Sequence, residues 1–227
     1  MKVIMSLLFT KTPIVVAERQ DPRVVRGGWL TKALRHLLYL RAKGILVQTN
    51  ENKQYYTGSL NNKVFAIYNP VSMSEEWVGK ALDSPKDDVI VTVGRLNPAK
   101  NHPLLINAFG EFVKKHPSYK LLIYGDGPLK NDMERLIDEK RLSERVLLKG
   151  ATKDVFSQIV SAKAFVLSSD YEGMPNALIE AMCLGLPCIS TKVSGATELI
   201  ESDKNGLLID SDAQQLIDAL ERVMDSA

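Results

Sequence analysis

The stretch that decides the fold runs from residue 164 to residue 191 and reads AFVLSSDYEGMPNALIEAMCLGLPCIST. Its first residues, 164–168, form an apolar run that is typical of a strand buried on both faces. A segment with helical apolar spacing follows at 176–184, between a proline that suits a helix start and a glycine that suits a helix end. A second apolar run lies at 187–191. The stretch therefore predicts a strand, a helix and a second strand in direct succession.

The same alternation extends along the chain from residue 89 onward. Short β-branched runs predict further strands at 89–93, 120–124, 146–149 and 206–209. Amphipathic segments predict further helices at 103–115, 129–139, 155–161, 196–201 and 212–224. Strands that alternate with helices indicate a parallel sheet covered by helices on both faces. Residues 89–227 are thus predicted to form a doubly wound, Rossmann-like α/β domain.

The residues before this domain also contain short apolar runs and an amphipathic segment, but they predict fewer strands and helices. They predict strands near 3–8, 14–17, 44–48 and 64–68, and a helix around 30–42. A polar stretch that contains a proline follows, and we interpret residues 72–88 as a linker. Residues 1–71 are therefore expected to be an incomplete remnant of a second Rossmann-like domain.

Composition limits the class of protein. The chain has 227 residues, of which 45% are hydrophobic and 25% are charged, as in ordinary globular proteins. No apolar run reaches about 18 residues, so no membrane-spanning helix is expected. Cys183 and Cys188 lie in an apolar stretch, where reduced core thiols of a cytoplasmic protein are favoured over a disulfide or a metal pair.

Positive charge is concentrated at the start of the chain. The net charge is +2 overall, but residues 1–43 carry nine Lys and Arg residues against two carboxylates. A basic face of this kind suits an anionic lipid headgroup or a polyprenyl-phosphate acceptor, and so a peripheral membrane contact. Nucleic acid is disfavoured, because no aromatic residues are interleaved for base stacking. A solvated surface is the alternative interpretation.

The strand–helix junction of the quoted stretch carries residues suited to a phosphate ligand. Open α/β sheets bind ligands at the carboxyl ends of their strands. The first turn of the predicted helix exposes the backbone N–H groups of Asn176 and Ala177, which is a ready anion site. Glu180 lies one turn further among small residues, where a ribose diol would supply hydrogen-bond donors. Glu172 precedes the helix, and Gly173 leaves the backbone open to a ligand. A structural carboxylate at Glu180 and a loop charge at Glu172 are the alternatives.

Two other strand ends add positive charge and glycines. Gly94, Arg95 and Lys100 follow the strand at 89–93, and a guanidinium beside an ammonium group suits a diphosphate. Gly125 follows the next strand, where two glycines around an aspartate are more typical of a tight turn than of a binding site. No Asp-x-Asp pair with metal-like spacing lies beside this region, so we expect no bound metal.

The motifs at these strand ends resemble those of glycosyltransferase family 4. The Glu172-x7-Glu180 pattern within EGMPNALIEAMCLGLPCI is similar to the family signature, and GRLNPAKN and YGDGP resemble its two other strand-end motifs. AERQDPR, YLRAKGILVQT and VFAIYNPV resemble the last strands of the family's N-terminal domain. The ERxDPR variant is similar to bacterial enzymes that build capsular polysaccharides and exopolysaccharides.

The resemblance implies the GT-B fold and a retaining, metal-independent transfer of a hexose from a nucleotide-diphosphate sugar, most commonly a UDP-sugar. Arg95 and Lys100 would bind the donor diphosphate, Glu180 the ribose, and Glu172 the transferred sugar. Arg95, Lys100 and Glu172 would therefore be the catalytic residues, and no further cofactor is implied. The donor-binding residues implied are Gly94, Arg95, Lys100, Gly125, Lys149 near the base, Glu172, Gly173, Met174, Asn176, Ala177 and Glu180.

Two features of the family are absent from this sequence. It has no glycine-rich first loop, and none of His36, His102 and His116 stands where the family places a histidine near the reacting carbon. We therefore expect a C-terminal part of the enzyme whose acceptor is a glycan or a polyprenyl-linked sugar. The alternatives are a nucleotide-sugar-binding fragment without turnover of its own, and a different GT-B reaction such as epimerisation or phosphorolysis.

Overall fold

The computed structural model describes residues 2–7, 9–24, 28–73, 76–77, 80 and 85–225. The chain divides into a smaller compact unit, Met1–Pro70 with Tyr171–Met174, and a larger one, Val71–Asp170 with Pro175–Ala227. Part of the predicted linker, 72–88, lies outside the described residues. Two side chains of that segment, a methionine and a tryptophan, pack on the core of the larger unit.

The smaller unit contains a three-stranded parallel sheet. Its strands, in order across the sheet, are β1 (Val15–Ala17), β2 (Gly44–Val47) and β3 (Val64–Ala66). Its helices are α1 (Lys2–Ser6), α2 (Trp29–Tyr39) and α3 (Asn50–Gln54), and 3₁₀ turns lie at Pro22–Val24 and Gly58–Lys63. The three later strands and the helix predicted for this region are confirmed, whereas α3 and the 3₁₀ turns were not predicted.

The strand predicted at 3–8 is wrong, because helix α1 occupies this segment up to Ser6; Leu8 lies outside the described residues. Ile4 is buried and Leu7 packs against the same core, while Val3 and Met5 are exposed. This spacing of three residues is helical, whereas a strand would place alternate residues on one face. A short apolar run does not distinguish the two structures by periodicity alone.

The larger unit contains a six-stranded sheet in which every pair is parallel. Its strands are β4 (Asp87–Val93), β5 (Lys120–Tyr124), β6 (Val146–Gly150), β7 (Ala162–Leu167), β8 (Cys188–Thr191) and β9 (Leu207–Ile209). Its helices are α4 (His102–Lys115), α5 (Lys130–Glu139), α6 (Val155–Ile159), α7 (Asn176–Cys183), α8 (Ala196–Leu199) and α9 (Ala213–Asp225), and a 3₁₀ turn lies at Pro98–Lys100. All six predicted strands and all six predicted helices are found within a few residues of their expected bounds.

Helices cover both faces of the larger sheet. Ile90 and Val166 belong to one core layer with residues of α4, α5 and α9, while Val91 and Phe165 belong to the other with residues of α6, α7 and α8. The strand order is β6-β5-β4-β7-β8-β9, so the order reverses beside β4. The prediction of a doubly wound parallel α/β fold is confirmed, and the reversal marks the edge where such sheets bind ligands.

The two cysteines differ in environment. Both are free thiols, and Cys188 is buried while Cys183 is exposed, so only Cys188 is a core thiol. Burial raises the pKa of the Cys188 thiol to about 12. Within the described parts of the chain, no helix has the length and apolar character needed to cross a membrane.

Candidate functional site

Three loops at the carboxyl edge of the larger sheet are joined by backbone hydrogen bonds. The Gly94 N–H, just after β4, donates to the carbonyl of Tyr124 in β5 at 2.9 Å. The Asp170 N–H, after β7, donates to the carbonyl of Ala99 at 2.9 Å. The loops 94–100, 125–128 and 168–170 therefore form one continuous surface at the strand-order reversal, which we call the platform.

Glycine is required at two positions of the platform because the backbones approach closely. Gly125 has a φ of 149°, and a Cβ there would lie 1.9 Å from the carbonyl oxygen of Gly94. A Cβ on Gly127 would lie 2.4 Å from the carbonyl oxygen of Leu96. The two glycines that suggested a tight turn thus allow one loop of the platform to pack on another.

Backbone hydrogen bonds and the packing of its aliphatic stem on Gly94 fix the position of Lys100 in the platform. A Cβ on Gly94 would lie 3.0 Å from Cε of Lys100 and 3.4 Å from its Nζ, so the stem covers this glycine. The Lys100 N–H donates to Oδ1 of Asn97 at 3.3 Å, and the hydroxyl of Ser168 donates to the Lys100 carbonyl at 2.9 Å. The ammonium group therefore lies at the carboxyl end of β4, beside the glycine predicted to share its site.

An asparagine and an aspartate that sequence-based prediction missed support this loop. Asn101 has a left-handed φ of 42°, and its Oδ1 accepts a hydrogen bond from the Leu104 N–H in the first turn of α4. Its Nδ2 donates to the Asp170 carboxylate at 2.7 Å and so ties the loop to the one after β7. An asparagine placed just before a helix with proline in its first turn is a recognisable cap pattern, so the sequence carried this signal.

Two other side chains of this region differ in exposure and charge. The side chain of Arg95 is exposed and forms no hydrogen bond or ion pair with the residues that the structure describes. His102 begins α4, one residue before the predicted start of this helix, and is buried. Burial, and to a lesser extent the charge of Lys100, lowers the pKa of His102 to about 4. His102 is therefore uncharged at neutral pH, and the positive charge of this loop comes from Arg95 and Lys100.

Helix α7 follows the loop after β7 and carries Glu180. It begins at Asn176 after Pro175, whose side chain gives the first turn no cap. Glu180 is half-buried, and its carboxylate has no hydrogen-bond or ion-pair partner among the described residues. Burial raises the pKa of this carboxyl group above its ordinary value of 4.5. A half-buried carboxylate without a donor suits a ligand that brings hydroxyl groups.

Lys149 is the extra residue of a β-bulge in the edge strand β6. The register against β5 shifts between Leu148 and Gly150, so Lys149 has no partner on that strand and its side chain is exposed. The Gly125 N–H donates to the Gly150 carbonyl at 2.8 Å, which joins the end of β6 to the platform. The bulge thus ends regular pairing at the segment predicted to meet the base.

Glu172, Gly173 and Met174 belong to the smaller unit. A Cβ on Gly173 would lie 2.5 Å from both the carbonyl oxygen of Arg19 and Oε1 of Gln48. Gly173 and Met174 are buried, and Glu172 is half-buried. Residues of the smaller unit fill the space that a side chain at this position would need, so packing requires glycine here. The approach of a ligand to Gly173 stays a prediction.

The structure thus brings together part of the predicted site. Gly94, Lys100 and Gly125 are in contact, and Arg95 belongs to the same loop. The platform therefore offers an anion the positive charge of Arg95 and Lys100. In the ranges that the structure describes, no group of three or more His, Cys, Asp or Glu side chains is placed to hold a metal ion.

Comparison with known proteins adds a family match and two sequence relatives. The family model described as Glycosyl transferases group 1 matches residues 73–227. An uncharacterized glycosyltransferase of Methanocaldococcus jannaschii is 37% identical over 179 residues, which are 74% of this chain and 44% of that protein. The N-acetylgalactosamine-N,N'-diacetylbacillosaminyl-diphospho-undecaprenol 4-alpha-N-acetylgalactosaminyltransferase of Campylobacter jejuni is 33% identical over 222 residues, which are 92% of this chain and 60% of that protein.

A solved structure shares the fold. HepE of Anabaena in complex with UDP-glucose superimposes with a TM-score of 0.84 at 19% sequence identity, covering 99% of this chain and 66% of that one. At this sequence identity, the structural similarity is evidence of a shared fold only. The chain spans 44% and 60% of the lengths of the two sequence relatives.

Proposed function

Because this chain belongs to the glycosyl transferases group 1 family, we propose that it is the donor-binding part of a bacterial enzyme that transfers a hexose during surface polysaccharide synthesis. The proposed donor is a UDP-sugar, as in the complex of HepE. The proposed acceptor is a glycan carried on a polyprenyl diphosphate, because the name of the C. jejuni relative contains diphospho-undecaprenol.

The observation that carries this proposal is the placement of Lys100 over Gly94 at the strand-order reversal. A diphosphate carries about two negative charges, which Lys100 and the exposed Arg95 match in number. Gly94 leaves room for the stem of Lys100, and Gly125 allows its loop to pack on Gly94. The half-buried carboxylate of Glu180 supplies acceptors for the two hydroxyl groups of a ribose.

In the proposed reaction, the bond between the anomeric carbon and a phosphate oxygen of the donor breaks. Negative charge then grows on the leaving diphosphate, where Arg95, Lys100 and the N–H groups at the start of α7 stabilise it. The new bond forms on the face that the diphosphate leaves, which retains the configuration. The leaving phosphate oxygen accepts the proton of the acceptor hydroxyl, so the protein contributes charge and orientation.

Calorimetric titration of the chain with UDP, UDP-glucose and uridine tests the proposal. We expect both diphosphates to bind more tightly than uridine, because only they reach Arg95 and Lys100. Added EDTA should leave both affinities unchanged, since the proposed positive charge comes from side chains. If the folded chain binds neither UDP nor UDP-glucose, the proposed function is wrong.

Replacing Glu180 with alanine is expected to weaken UDP-glucose binding by about 10- to 100-fold, because a charge-assisted hydrogen bond contributes about 1.5–3 kcal/mol. The fold should not suffer, since the carboxylate has no partner among the described residues. Thermal unfolding checks the second expectation, and unchanged affinity in a folded variant would contradict the ribose role.

The raised pKa of Glu180 predicts a pH dependence of donor binding. Its carboxyl group takes up a proton above the ordinary value of 4.5, so affinity for UDP-glucose should fall as the pH is lowered through that range. Both phosphates of UDP-glucose are esterified and do not titrate there. Glu180→Gln should abolish this dependence. Because a raised carboxyl pKa also lowers stability as the pH rises, Glu180→Gln should be at least as stable as the wild type at pH 7.

The proposed role of Glu172 rests on the family resemblance and concerns the transferred sugar. Glu172→Gln should therefore leave UDP affinity nearly unchanged and reduce the preference for UDP-glucose over UDP by about 2- to 10-fold, which corresponds to one ordinary hydrogen bond. Parallel titrations with the two ligands measure this preference. A large loss of UDP affinity would instead assign the carboxylate to the nucleotide.

We also propose that the smaller unit contacts the cytoplasmic face of the membrane through α2. Trp29, Leu30 and Leu37 lie on one side of this helix and are 76%, 65% and 63% exposed. The nearby cation Lys32 is exposed as well. An apolar helix face beside positive charge suits an anionic bilayer, which can take up the apolar side chains and attract the lysine.

Co-sedimentation with vesicles tests this contact. The chain should bind vesicles that contain phosphatidylglycerol and not vesicles of phosphatidylcholine alone, and Leu30→Ser with Leu37→Ser should remove the binding. An exposed apolar residue of the same unit, Phe65, provides the control variant Phe65→Ser. Self-association of the wild type that excludes vesicles would show that a second copy covers this face instead.

A further inference from the structure

The segment that follows β1 is anchored by a buried polar network within the smaller unit. Oε1 of Glu18 accepts hydrogen bonds from the hydroxyl of Tyr39 at 2.7 Å and from Nη1 of Arg35 at 3.1 Å. Oε2 of Glu18 accepts one from the hydroxyl of Tyr56. Arg35 is itself buried and donates from Nη2 to the Pro22 carbonyl at 3.0 Å. Both ends of the segment 18–22 are thus fixed to α2.

A second set of contacts fixes the far end of the same segment. The carboxylate of Asp21 is buried and accepts hydrogen bonds from the backbone N–H of Arg23 at 2.8 Å and from its Nε at 2.9 Å. Arg23 also forms an ion pair with Glu51 of α3 at 2.6 Å. The charged side chains at positions 18, 21 and 23 are therefore all engaged within the protein.

Arg19 is the exception in this segment. Its side chain is exposed and forms no hydrogen bond or ion pair with any residue in the described ranges. Its backbone is nonetheless tightly placed, because its carbonyl oxygen packs against Gly173, as described above. Arg19 therefore stands next to the loop that carries Glu172, the carboxylate proposed to hold the transferred sugar.

Arg19 also lies at the ligand-binding edge of its own sheet. It follows the carboxyl end of β1, and Gln48 follows the carboxyl end of β2. The Nε2 of Gln48 donates to Oδ1 of Asn69, after β3, so polar side chains continue along this edge. Carboxyl edges of parallel sheets are where such folds bind ligands.

From these placements we infer that Arg19 binds a phosphate group of a diphosphate-bearing substrate. A guanidinium group matches two phosphate oxygens with two parallel hydrogen bonds. The network around Glu18 and Asp21 holds the backbone of Arg19 before the ligand arrives, which reduces the entropy lost on binding. The inference rests on the proposed function, and the phosphate belongs either to the donor or to the prenyl diphosphate of the acceptor.

Binding measurements on the whole chain test this role. Arg19→Ala and Arg19→Lys are titrated with UDP-glucose and with farnesyl-diphosphate-linked N-acetylglucosamine, a short-chain stand-in for the acceptor. Lys43→Ala is the matched control, because Lys43 is an exposed cation just before β2, at the opposite edge of the sheet. We expect Arg19→Ala to lose about tenfold in affinity for one of the two ligands. The loss should be smaller for Arg19→Lys, which keeps the positive charge but lacks the paired N–H donors of a guanidinium group.

The pattern of affinity losses shows whether Arg19 binds a phosphate and to which ligand that phosphate belongs. A loss confined to UDP-glucose assigns Arg19 to the donor, and a loss confined to the prenyl diphosphate assigns it to the acceptor. Losses no larger than those of Lys43→Ala, or losses that accompany a lowered unfolding temperature, overturn the inference while leaving the proposed function intact. Wild-type protein that binds neither ligand overturns both.

Discussion

Replacing Lys100 with methionine is expected to weaken UDP binding by about 10- to 100-fold, the loss that corresponds to a hydrogen bond between charged partners. Methionine keeps an unbranched stem that can cover Gly94, so the variant removes the charge and retains most of the packing. Uridine binding should be unchanged, because uridine has no phosphate. Calorimetric titration of both ligands measures the difference.

The control for this variant is Lys120→Met. Lys120 is exposed at the amino end of β5, at the edge of the sheet opposite the platform, and its replacement changes the net charge by the same amount. We expect its UDP affinity to match the wild type. Equal losses for UDP and uridine in Lys100→Met, or equal losses in the two variants, would contradict a diphosphate role for Lys100.

The second large effect is expected for Gly125→Ala, which should lower the free energy of unfolding by about 2–4 kcal/mol. A φ of 149° is a backbone conformation that only glycine adopts readily, and strain of this kind costs about 1–3 kcal/mol. The added Cβ would also lie 1.9 Å from the Gly94 carbonyl oxygen, so the two loops must separate. Separation moves Gly94 away from the stem of Lys100, so UDP binding should fall together with stability.

Gly185→Ala separates the two causes. Gly185 has a φ of 66°, yet a Cβ there meets nothing within 4 Å. This variant should therefore show only the cost of the left-handed backbone, about 1–2 kcal/mol, and keep its UDP affinity. Urea unfolding of both variants and UDP titration in the absence of urea provide the comparison. A Gly125→Ala protein as stable as Gly185→Ala would show that the loops tolerate the extra carbon.

The architecture of the larger unit was predictable because its strands are buried on both faces. Such strands read as continuous apolar runs, and amphipathic helices separate them with glycine and proline at their ends. The strand predicted before β1 was wrong, because the apolar run in that segment is short and fits a strand or a helix. The burial of Ile4 together with Leu7 indicates a helix, but this can be seen only once the core that they share is known.

The chemistry of the site was partly visible in the sequence and partly set by tertiary packing. The position of Lys100 at a strand end followed from its place after an apolar run. The need for glycine at position 125 could not be predicted from the sequence, because it arises from the carbonyl oxygen of Gly94, which lies 31 positions earlier in the chain. The packing of Gly173 against Arg19 was equally invisible, since it depends on which loops meet.

The central position of β4 has a consequence for synthesis on the ribosome. One edge of β4 finds its partner early, because Val89 pairs with Lys120. The other edge waits for β7, since Ile90 pairs with Ala164. At ribosomal rates of about 5–20 residues per second, the nascent chain exposes this unpaired, apolar strand for about 4–15 seconds. We therefore expect translational pausing between residues 124 and 162 to increase misassembly, because the growing chain then offers an open strand edge to its neighbours on the same messenger RNA.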